Sequence, residues 1–239
     1  MKQIIIVLFS LISIPNQAQF SIGFDLGYDY NHLNTPVSNK IFTKNTNIGG
    51  YSSSFQINYN FNNLFSLKTG FGLLQKNYSF TRTGDYLGVY ETFTNFYFQV
   101  PINVQLKIIE IRKFKLFVFG GIFSAYWAFA KVHGATPNIF NSTNTVGNDG
   151  QIIQYLTLAN YSEKYQFNAI KDKRFEFGFV TGLSINYGLN SNFSIFLEPK
   201  YYQSLTDQQK QYMVNQVPKI NQTLCISIGC LMKLPSNKK

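Results

Sequence analysis

Hydrophobic and polar residues alternate along most of this chain, and the clearest example is the segment from Asn95 to Ile108. One side of the segment is entirely apolar and consists of Phe96, Phe98, Val100, Ile102, Val104, Leu106 and Ile108. The other side consists of Asn95, Tyr97, Gln99, Pro101, Asn103, Gln105 and Lys107. A period of two residues is the pattern of a β-strand with one apolar and one polar face.

Further segments alternate in the same way and predict strands at 20–30, 51–61, 64–78, 115–130, 174–187, 193–202 and 223–234. The segment 115–130 is the least clear, because its apolar residues fall on both faces, and a helix is the competing prediction. Its density of Phe and the Gly120-Gly121 pair favour a strand. The residues expected to face outward there are Phe117, Phe119, Phe123, Trp127 and Phe129, with Val118, Ile122 and Tyr126 facing inward.

The connections between these segments alternate between short and long. Tight turns are predicted at 62–63, 110–113 and 188–192, and long polar connections at 31–50, 81–90, 132–172 and 203–219. This asymmetry is typical of outer-membrane barrels, which have short periplasmic turns and longer external loops. The longest connection, 132–172, is expected to be functional or disordered.

A water-soluble sheet would need a second layer over its apolar face, but the chain has no segment left to provide one. Lipid is therefore the expected covering layer. The predicted fold class is all-β: a transmembrane antiparallel up-and-down β-barrel of eight strands, with an apolar outside and a polar inside. No internal repeat or second domain is evident from the sequence.

The composition supports this prediction. Aromatic residues make up 17% of the 239 residues and charged residues 13%, whereas charged residues are roughly 25% of an average soluble protein. A helical membrane protein is not indicated, since no run of about 18 apolar residues follows the first 15 positions. The formal net charge of +10 is spread over loops and ends. Because no basic stripe is visible, nucleic acid is not an expected partner. The excess positive charge is instead expected to meet anionic lipid headgroups.

The N-terminus predicts export. A lysine at position 2 precedes an apolar run from Ile4 to Ile14, and Ala18 offers a plausible cleavage point. We interpret residues 1–18 as a signal peptide and residues 19–239 as the outer-membrane barrel domain. A membrane anchor or a buried core segment is the alternative, but the run is short for a bilayer span. No cysteine follows it at the position that a lipoprotein needs.

Five segments, taken in order, carry a family resemblance: Tyr97–Lys107, Gly120-Gly121, Phe175–Gly182, Glu198–Tyr202 and Ile226–Gly229. In these segments the chain resembles the PorT-like outer-membrane β-barrel family of Bacteroidetes, with Pro101, Gly178 and Gly182 as motif residues. The resemblance implies an integral outer-membrane protein with no cofactor and no catalytic residues. The name-giving member is associated with protein secretion. The last strand departs from such barrels, because it ends at Leu234 rather than on an aromatic residue.

The predicted inner face carries many charges, the main ones being Asp25, Asp29, Lys68, Lys107, Arg174, Glu176, Glu198 and Lys200. A proton path, an anion site or a carboxylate pair such as Glu176 with Glu198 is conceivable. We instead expect a structural network of salt bridges, because the interior of an eight-stranded barrel is just wide enough for side chains to fill it, and buried charges persist when they are paired.

No catalytic or metal-binding pattern stands out. The two histidines, His32 and His133, lack Cys or carboxylate neighbours at ligand spacing, and no Gly-x-Ser-x-Gly elbow is present. Cys225 and Cys230 are five residues apart in one predicted strand, so they point to opposite faces and cannot form a local disulfide. We expect neither an enzyme nor a cofactor. An outer-membrane protease or acyltransferase is the alternative, because loop tips can assemble a site.

The sequence thus predicts a monomeric outer-membrane barrel whose external loops bind a ligand, a surface polymer or a partner protein. An accessory component of a secretion or envelope assembly complex is the alternative that follows from the resemblance. A small-solute channel is disfavoured by the crowded lumen. Pro101 is expected to mark a bulge or a locally unpaired position in the barrel wall.

Overall fold

Antiparallel strands form one closed sheet in the computed structural model, which describes residues 19–36, 42–84, 87–146 and 149–235. The strands are β1 (Gln19–Asn34), β2 (Thr43–Asn60), β3 (Phe65–Gln75), β4 (Tyr78–Arg82), β5 (Tyr90–Ile111), β6 (Phe114–Val146), β7 (Ile152–Lys164), β8 (Phe175–Gly188), β9 (Phe193–Ser204) and β10 (Ile220–Lys233). The expected signal peptide, residues 1–18, lies outside the described residues.

The wall of the barrel has eight positions. Strands β3 and β4 share one of them, because each pairs with β2 on one side and β5 on the other. The other positions follow in the order β5, β6, β8, β9, β10, β1 and β2, and the pairing of β1 with β10 closes the ring. β7 pairs with β6 alone and stands outside the ring. The predicted eight-stranded antiparallel barrel is confirmed.

The two faces of the wall are separated as the alternation predicts. Along β1, Phe24, Leu26, Tyr28 and Tyr30 are exposed, whereas Asp25 and Asp29 between them are buried. An exposed apolar outer surface with a polar interior is the arrangement of a barrel that sits in lipid.

Within the described ranges, the chain forms no helix with the length and apolar character needed to cross a bilayer.

The prediction for the faces of segment 115–130 is wrong in the middle of β6. Phe119, Phe123 and Trp127 point into the barrel and are buried, and Ile122 and Tyr126 are exposed on the outside. A bulge then changes the register, since Tyr97 pairs with Trp127 but Phe96 pairs with Phe129. Alternation shows that two faces differ, but with apolar residues on both faces it does not show which one is inside.

The predicted long loop 132–172 is mostly a β-hairpin. Residues 131–146 of β6 pair with residues 152–164 of β7, with one irregularity between Asn138 and Ser142. The pairing of β5 with β6 ends at Tyr90 and Ala135, so beyond that point the hairpin is a two-stranded ribbon. β2 also begins earlier than predicted, at Thr43, where it pairs with β4. Above the membrane both faces of a strand meet water, which removes the alternation.

An interruption at Lys76-Asn77 separates β3 from β4. Side chains cross the gap: the Asn95 backbone N–H donates to Asn77 Oδ1 over 3.0 Å, and Asn95 Nδ2 donates to the Lys76 carbonyl over 2.8 Å. On the other side, Asn77 Nδ2 donates to the Gly49 carbonyl over 2.8 Å. Two asparagine amides thus replace part of the ladder, and the barrel stays closed at this level.

Pro101 does not mark a bulge, because β5 pairs with β6 through this residue without a shift. On the β3 side, the pairs Thr69–Ile102 and Gly72–Gln99 have the same register but leave Pro101 unpaired between them. Proline has no backbone N–H with which to donate a ladder hydrogen bond. At this unpaired position none is needed, so the proline is tolerated.

Candidate functional site

A network of buried charges crosses the middle of the lumen. Lys68 Nζ donates to both carboxylate oxygens of Glu198 at 2.5 Å. Lys200 Nζ lies 3.6 Å from Glu198 and 3.4 Å from Asp25. All four side chains are buried, and Ser184 Oγ adds a hydrogen bond of 2.7 Å to Glu198. Charge-assisted bonds of this kind offset the cost of removing the ions from water.

Two serines of β2 hold the aspartates of β1. Ser54 Oγ donates to Asp25 over 2.8 Å and Ser52 Oγ donates to Asp29 over 2.9 Å. Asp29 is fully buried, and its second carboxylate oxygen has no hydrogen-bond partner among the described residues. Asp29 therefore lies beside the network and is held by a hydroxyl rather than by a cation.

A second ion pair lies nearer the external end. Lys76 Nζ is 2.5 Å from Glu176, whose other oxygen accepts a hydrogen bond of 3.0 Å from Asn221 Nδ2. The rings of Tyr97 and Phe123 each have their centroid 4.9 Å from Lys76 Nζ. This geometry is that of a cation–π contact, which strengthens when water is excluded.

An external segment closes the lumen above this pair. Gln208, in the connection between β9 and β10, is buried, and its Nε2 donates to the Tyr97 hydroxyl over 2.5 Å. The Tyr78 hydroxyl donates to Gln208 Oε1 over 3.3 Å. Trp127 stacks on Tyr97 with ring centroids 5.9 Å apart and on Tyr165 at 5.5 Å. We call Gln208 and these four aromatic residues the outer plug. Sequence reasoning missed it, because a single glutamine in a polar loop carries no local signal.

Two of the charges predicted for the network lie elsewhere. Arg174 is half-buried at the bulge of β6, where its Nε donates to the Trp127 carbonyl over 2.9 Å and an Nη donates to the Ala128 carbonyl over 2.8 Å. Lys107 lies at the opposite end of the barrel and pairs with Glu110, which also accepts from Lys115 at 2.8 Å. Hydrogen bonds from Lys107 and Lys115 lower the pKa of Glu110 to about 2.

Glu176 and Glu198 do not form a carboxylate pair, because each belongs to a separate ion pair with its own lysine. The charges of the lumen thus form two levels, one around Glu198 and one around Glu176.

The two motif glycines make room for aromatic rings. A Cβ at Gly182 would lie 2.7 Å from the Phe119 ring and 2.4 Å from the Pro199 carbonyl oxygen. A Cβ at Gly178 would lie 2.7 Å from the Phe123 ring and 2.1 Å from the Gln203 carbonyl oxygen. The inward rings of β6 therefore fit only because β8 has no side chain at these places.

The external end is dominated by the β6–β7 hairpin. Phe140, at the irregularity between Asn138 and Ser142, is 92% exposed. At the base, the Tyr161 hydroxyl donates to Glu91 over 3.0 Å and the Tyr165 hydroxyl donates to Asp172 over 2.9 Å. Burial, together with the bond to Glu91, raises the pKa of Tyr161 to about 12, and burial with the bond to Asp172 raises that of Tyr165. Both phenols are therefore neutral donors: the bond of Tyr161 fixes the hairpin on β5, and the bond of Tyr165 lies within the connection between β7 and β8.

The structure shows no cluster suited to a metal within the described ranges, where no group of three or more His, Cys, Asp or Glu side chains comes together. His32 Nδ1 lies 2.8 Å from Asn47 Oδ1, and His133 lies against the Tyr90 ring. Cys225 is buried and Cys230 exposed, as their positions in one strand predict.

Several solved structures are similar to this chain, but they share little sequence with it. Outer membrane protein OprG from Pseudomonas aeruginosa has a TM-score of 0.49 and 11% identity, over 92% of this chain and 97% of that one. Neisserial surface protein A has a TM-score of 0.44 and 10% identity, over 90% and 97%. The attachment invasion locus protein Ail of Yersinia pestis has a TM-score of 0.43 and 12% identity, over 90% and 98%.

No curated protein matches the sequence significantly. A family model described as "Outer membrane protein beta-barrel domain" matches residues 16–209, which is most of the chain. Together with the closed ring of strands and its exposed apolar surface, this match assigns the protein to the bacterial outer membrane. The chain belongs to the outer membrane β-barrel domain family.

Proposed function

We propose that the protein is a closed barrel that works at the cell surface, as a binding or structural protein of the envelope, through the external part of its β6–β7 hairpin. The observation that carries this proposal is the outer plug. Gln208 and the rings around it fill the lumen where a solute would have to pass, and the Lys76–Glu176 pair lies directly behind them. A filled lumen leaves the external surface as the place for specific contacts.

The hairpin has the properties of a contact surface. Large apolar side chains along it are exposed, namely Ile139, Phe140, Val146, Ile152, Tyr155, Leu156 and Leu158. Among the described residues β7 pairs only with β6, so the backbone groups of its other edge have no strand partner there. Apolar surface beside an open strand edge is the combination that adds a strand from a partner. A two-stranded ribbon is marginally stable alone, so a partner on this edge would also stabilise the hairpin.

We assign the lumen charges a structural role. Lys68, Glu198, Lys200 and Asp25 link the three strands β1, β3 and β9 across the interior, which braces the wall from within. We also propose that the protein is a monomer, because its own strands fill every position of the ring.

Planar bilayer recordings test the closed barrel. We expect no steady, reproducible single-channel currents from the purified protein, and their appearance would contradict the proposal. The Gln208→Ala variant is the informative comparison, since currents that arise only in this variant would locate the block at the plug.

Crosslinking in living cells tests the surface role. A photoreactive residue at Phe140 is expected to give a discrete adduct, whereas the same residue at Leu106, on the lipid face of β5, gives none. Equal adducts at both positions, or none at Phe140, would overturn the role of the hairpin. A stable complex with secretion or assembly proteins in native membranes would instead favour the accessory role that the family resemblance implies.

A further inference from the structure

A polar cavity of about 490 Å³ opens at the end of the barrel with the short turns. In outer-membrane barrels this end faces the periplasm. Its lining includes the side chains of Asn58, Gln105, Lys107, Lys115 and Lys233, and we call the cavity the inner vestibule. Its volume is within the range of ligand sites, about 300–1,000 Å³.

The wall of the inner vestibule is rich in side-chain amides with free hydrogen-bonding groups. Asn58 is only 7% exposed, and its Oδ1 has no hydrogen-bond partner among the described residues. Gln105 accepts a hydrogen bond of 3.1 Å from Ser66 Oγ through its own oxygen, which leaves its amide nitrogen to donate. A buried acceptor without a partner is costly. The N–H group of a ligand at Asn58 would remove that cost.

The charges of the inner vestibule are unbalanced. Three lysines line it, and no Asp or Glu does so within the described part of the chain. Glu110, at the rim, is shared by Lys107 and Lys115, so one carboxylate serves two cations. Lys233 has no carboxylate within 4.0 Å among the described residues. The three lysines and one carboxylate therefore leave a net excess of two positive charges at this mouth.

The inner vestibule is closed at its far end. The inward residues one layer deeper on β2, β3 and β5 are Gln56, Lys68 and Asn103, all of them buried. Lys68 is held there by its ion pair with Glu198. A ligand that enters from the periplasm therefore stops below this layer and is retained instead of passing through.

We infer that the inner vestibule binds a short acidic peptide from the periplasmic side. Its carboxylates would meet Lys233 and the Lys107–Lys115 pair, and its backbone amides would pair with Asn58 and Gln105. Side-chain amides donate and accept together, as a peptide backbone does, which suits a peptide better than a phosphate, whose oxygens mainly accept. A fatty acyl chain does not suit a wall of amides. This site is separate from the external hairpin and does not depend on its role.

Fluorescence anisotropy with the full-length protein in nanodiscs tests the inference. The probe is a fluorescein-labelled Glu-Ala-Asp-Ala peptide, and its matched control is Gln-Ala-Asn-Ala. We expect saturable binding of the acidic peptide that weakens with added salt, and at least about tenfold weaker binding of the amide peptide, the order of magnitude that a charge-assisted hydrogen bond provides. Equal affinity for the two peptides would overturn the inference, as would effective competition by inorganic phosphate at the concentration of the acidic peptide.

Variants locate the site. Lys233→Gln is expected to weaken binding about tenfold or more, whereas Lys164→Gln, which removes the same charge from the external hairpin, leaves it unchanged. Asn58→Leu is expected to weaken binding without any change of charge. Heat-modifiable migration on gels shows that each variant is folded, and equal effects of Lys233→Gln and Lys164→Gln would refute the assignment to the inner vestibule.

The acidic peptide could be free or could be a segment of a periplasmic protein. A photoreactive residue at Asn190, on the vestibule wall, distinguishes these sources in cells. A high-mass adduct identifies a protein segment, and probe binding in vitro without such an adduct identifies a free peptide. If neither is observed, the inference is wrong.

Discussion

The amide nitrogen of Gln208 lies 2.5 Å from the hydroxyl oxygen of Tyr97, so a residue of an external connection is bonded to the barrel wall inside the lumen. The two residues are 111 positions apart in the sequence. Through this contact the connection between β9 and β10 becomes part of the barrel interior.

Replacing Gln208 by alanine should destabilise the protein. The buried hydroxyls of Tyr97 and Tyr78 would each lose a partner, and a buried polar group without one costs about 1–3 kcal/mol. Unfolding in urea from lipid vesicles measures the loss. Gln211→Ala, at an exposed position of the same connection, should stay within about 0.5 kcal/mol of the parent. Equal effects of the two substitutions would mean that the plug contact contributes nothing to stability.

The Lys68–Glu198 pair should show strong coupling. Glu198→Leu alone leaves Lys68 buried without its carboxylate, which costs about 3–5 kcal/mol. The double variant Lys68→Met with Glu198→Leu should recover most of that loss, because neither charge then remains. A double-mutant cycle by urea unfolding gives the coupling energy. If the losses of the single variants were simply additive, the pair would not act as a unit.

The pH dependence of Glu110 has a definite sign. Its pKa is lowered from 4.5 to about 2 by hydrogen bonds from Lys107 and Lys115. A carboxylate with a lowered pKa stabilises the folded state above its unfolded pKa, and this contribution is lost as pH falls from about 4.5 towards about 2. The energy is small, since the group is largely exposed to solvent. Carbon NMR titration should find the low midpoint in the parent and a higher one in Lys107→Gln, and an unchanged midpoint would contradict the assignment.

Adding a methyl group at Gly178 should disrupt folding far more than adding one at Gly120. The new Cβ at Gly178 would lie 2.1 Å from the Gln203 carbonyl oxygen, whereas at Gly120 the nearest atom outside its chain neighbours, the Val180 carbonyl oxygen, is 3.9 Å away. Overpacking of a filled interior costs about 1–3 kcal/mol or more. The heat-modifiable fraction on gels after refolding compares Gly178→Ala with Gly120→Ala, and similar yields would contradict the close approach of β8 to the β6 rings.

Cysteine labelling should fix the orientation in the membrane. In a background of Cys225→Ser and Cys230→Ala, an impermeable maleimide should react with Phe140→Cys on intact cells. Lys113→Cys, in the turn after β5, should react only after the outer membrane is opened. The reverse pattern would place the hairpin in the periplasm and would reassign both mouths of the barrel.

The eight wall positions followed from the sequence because each strand has lipid on one side and a polar lumen on the other, as in β1 with Phe24 and Asp25. The faces of β6 did not follow, because the space that admits Phe119 and Phe123 is created by glycines of β8, far away in the sequence. The partner of each inward charge was equally hidden: Lys68 and Glu198 are 130 residues apart. Alternation places a side chain inside, but only the closed ring determines what it meets.

The break at Lys76-Asn77 divides one of the eight wall positions into two stacked strands, while β2 and β5 run past it without interruption. Below it, β3 continues the cylinder that lipid surrounds, and above it, β4 belongs to a collar formed with the early part of β2 and the start of β5. The seam is joined by asparagine amides instead of a continuous ladder. A change in the length of β4 can therefore be absorbed at this seam, while the pairs that β3 makes with β2 and β5 keep their register.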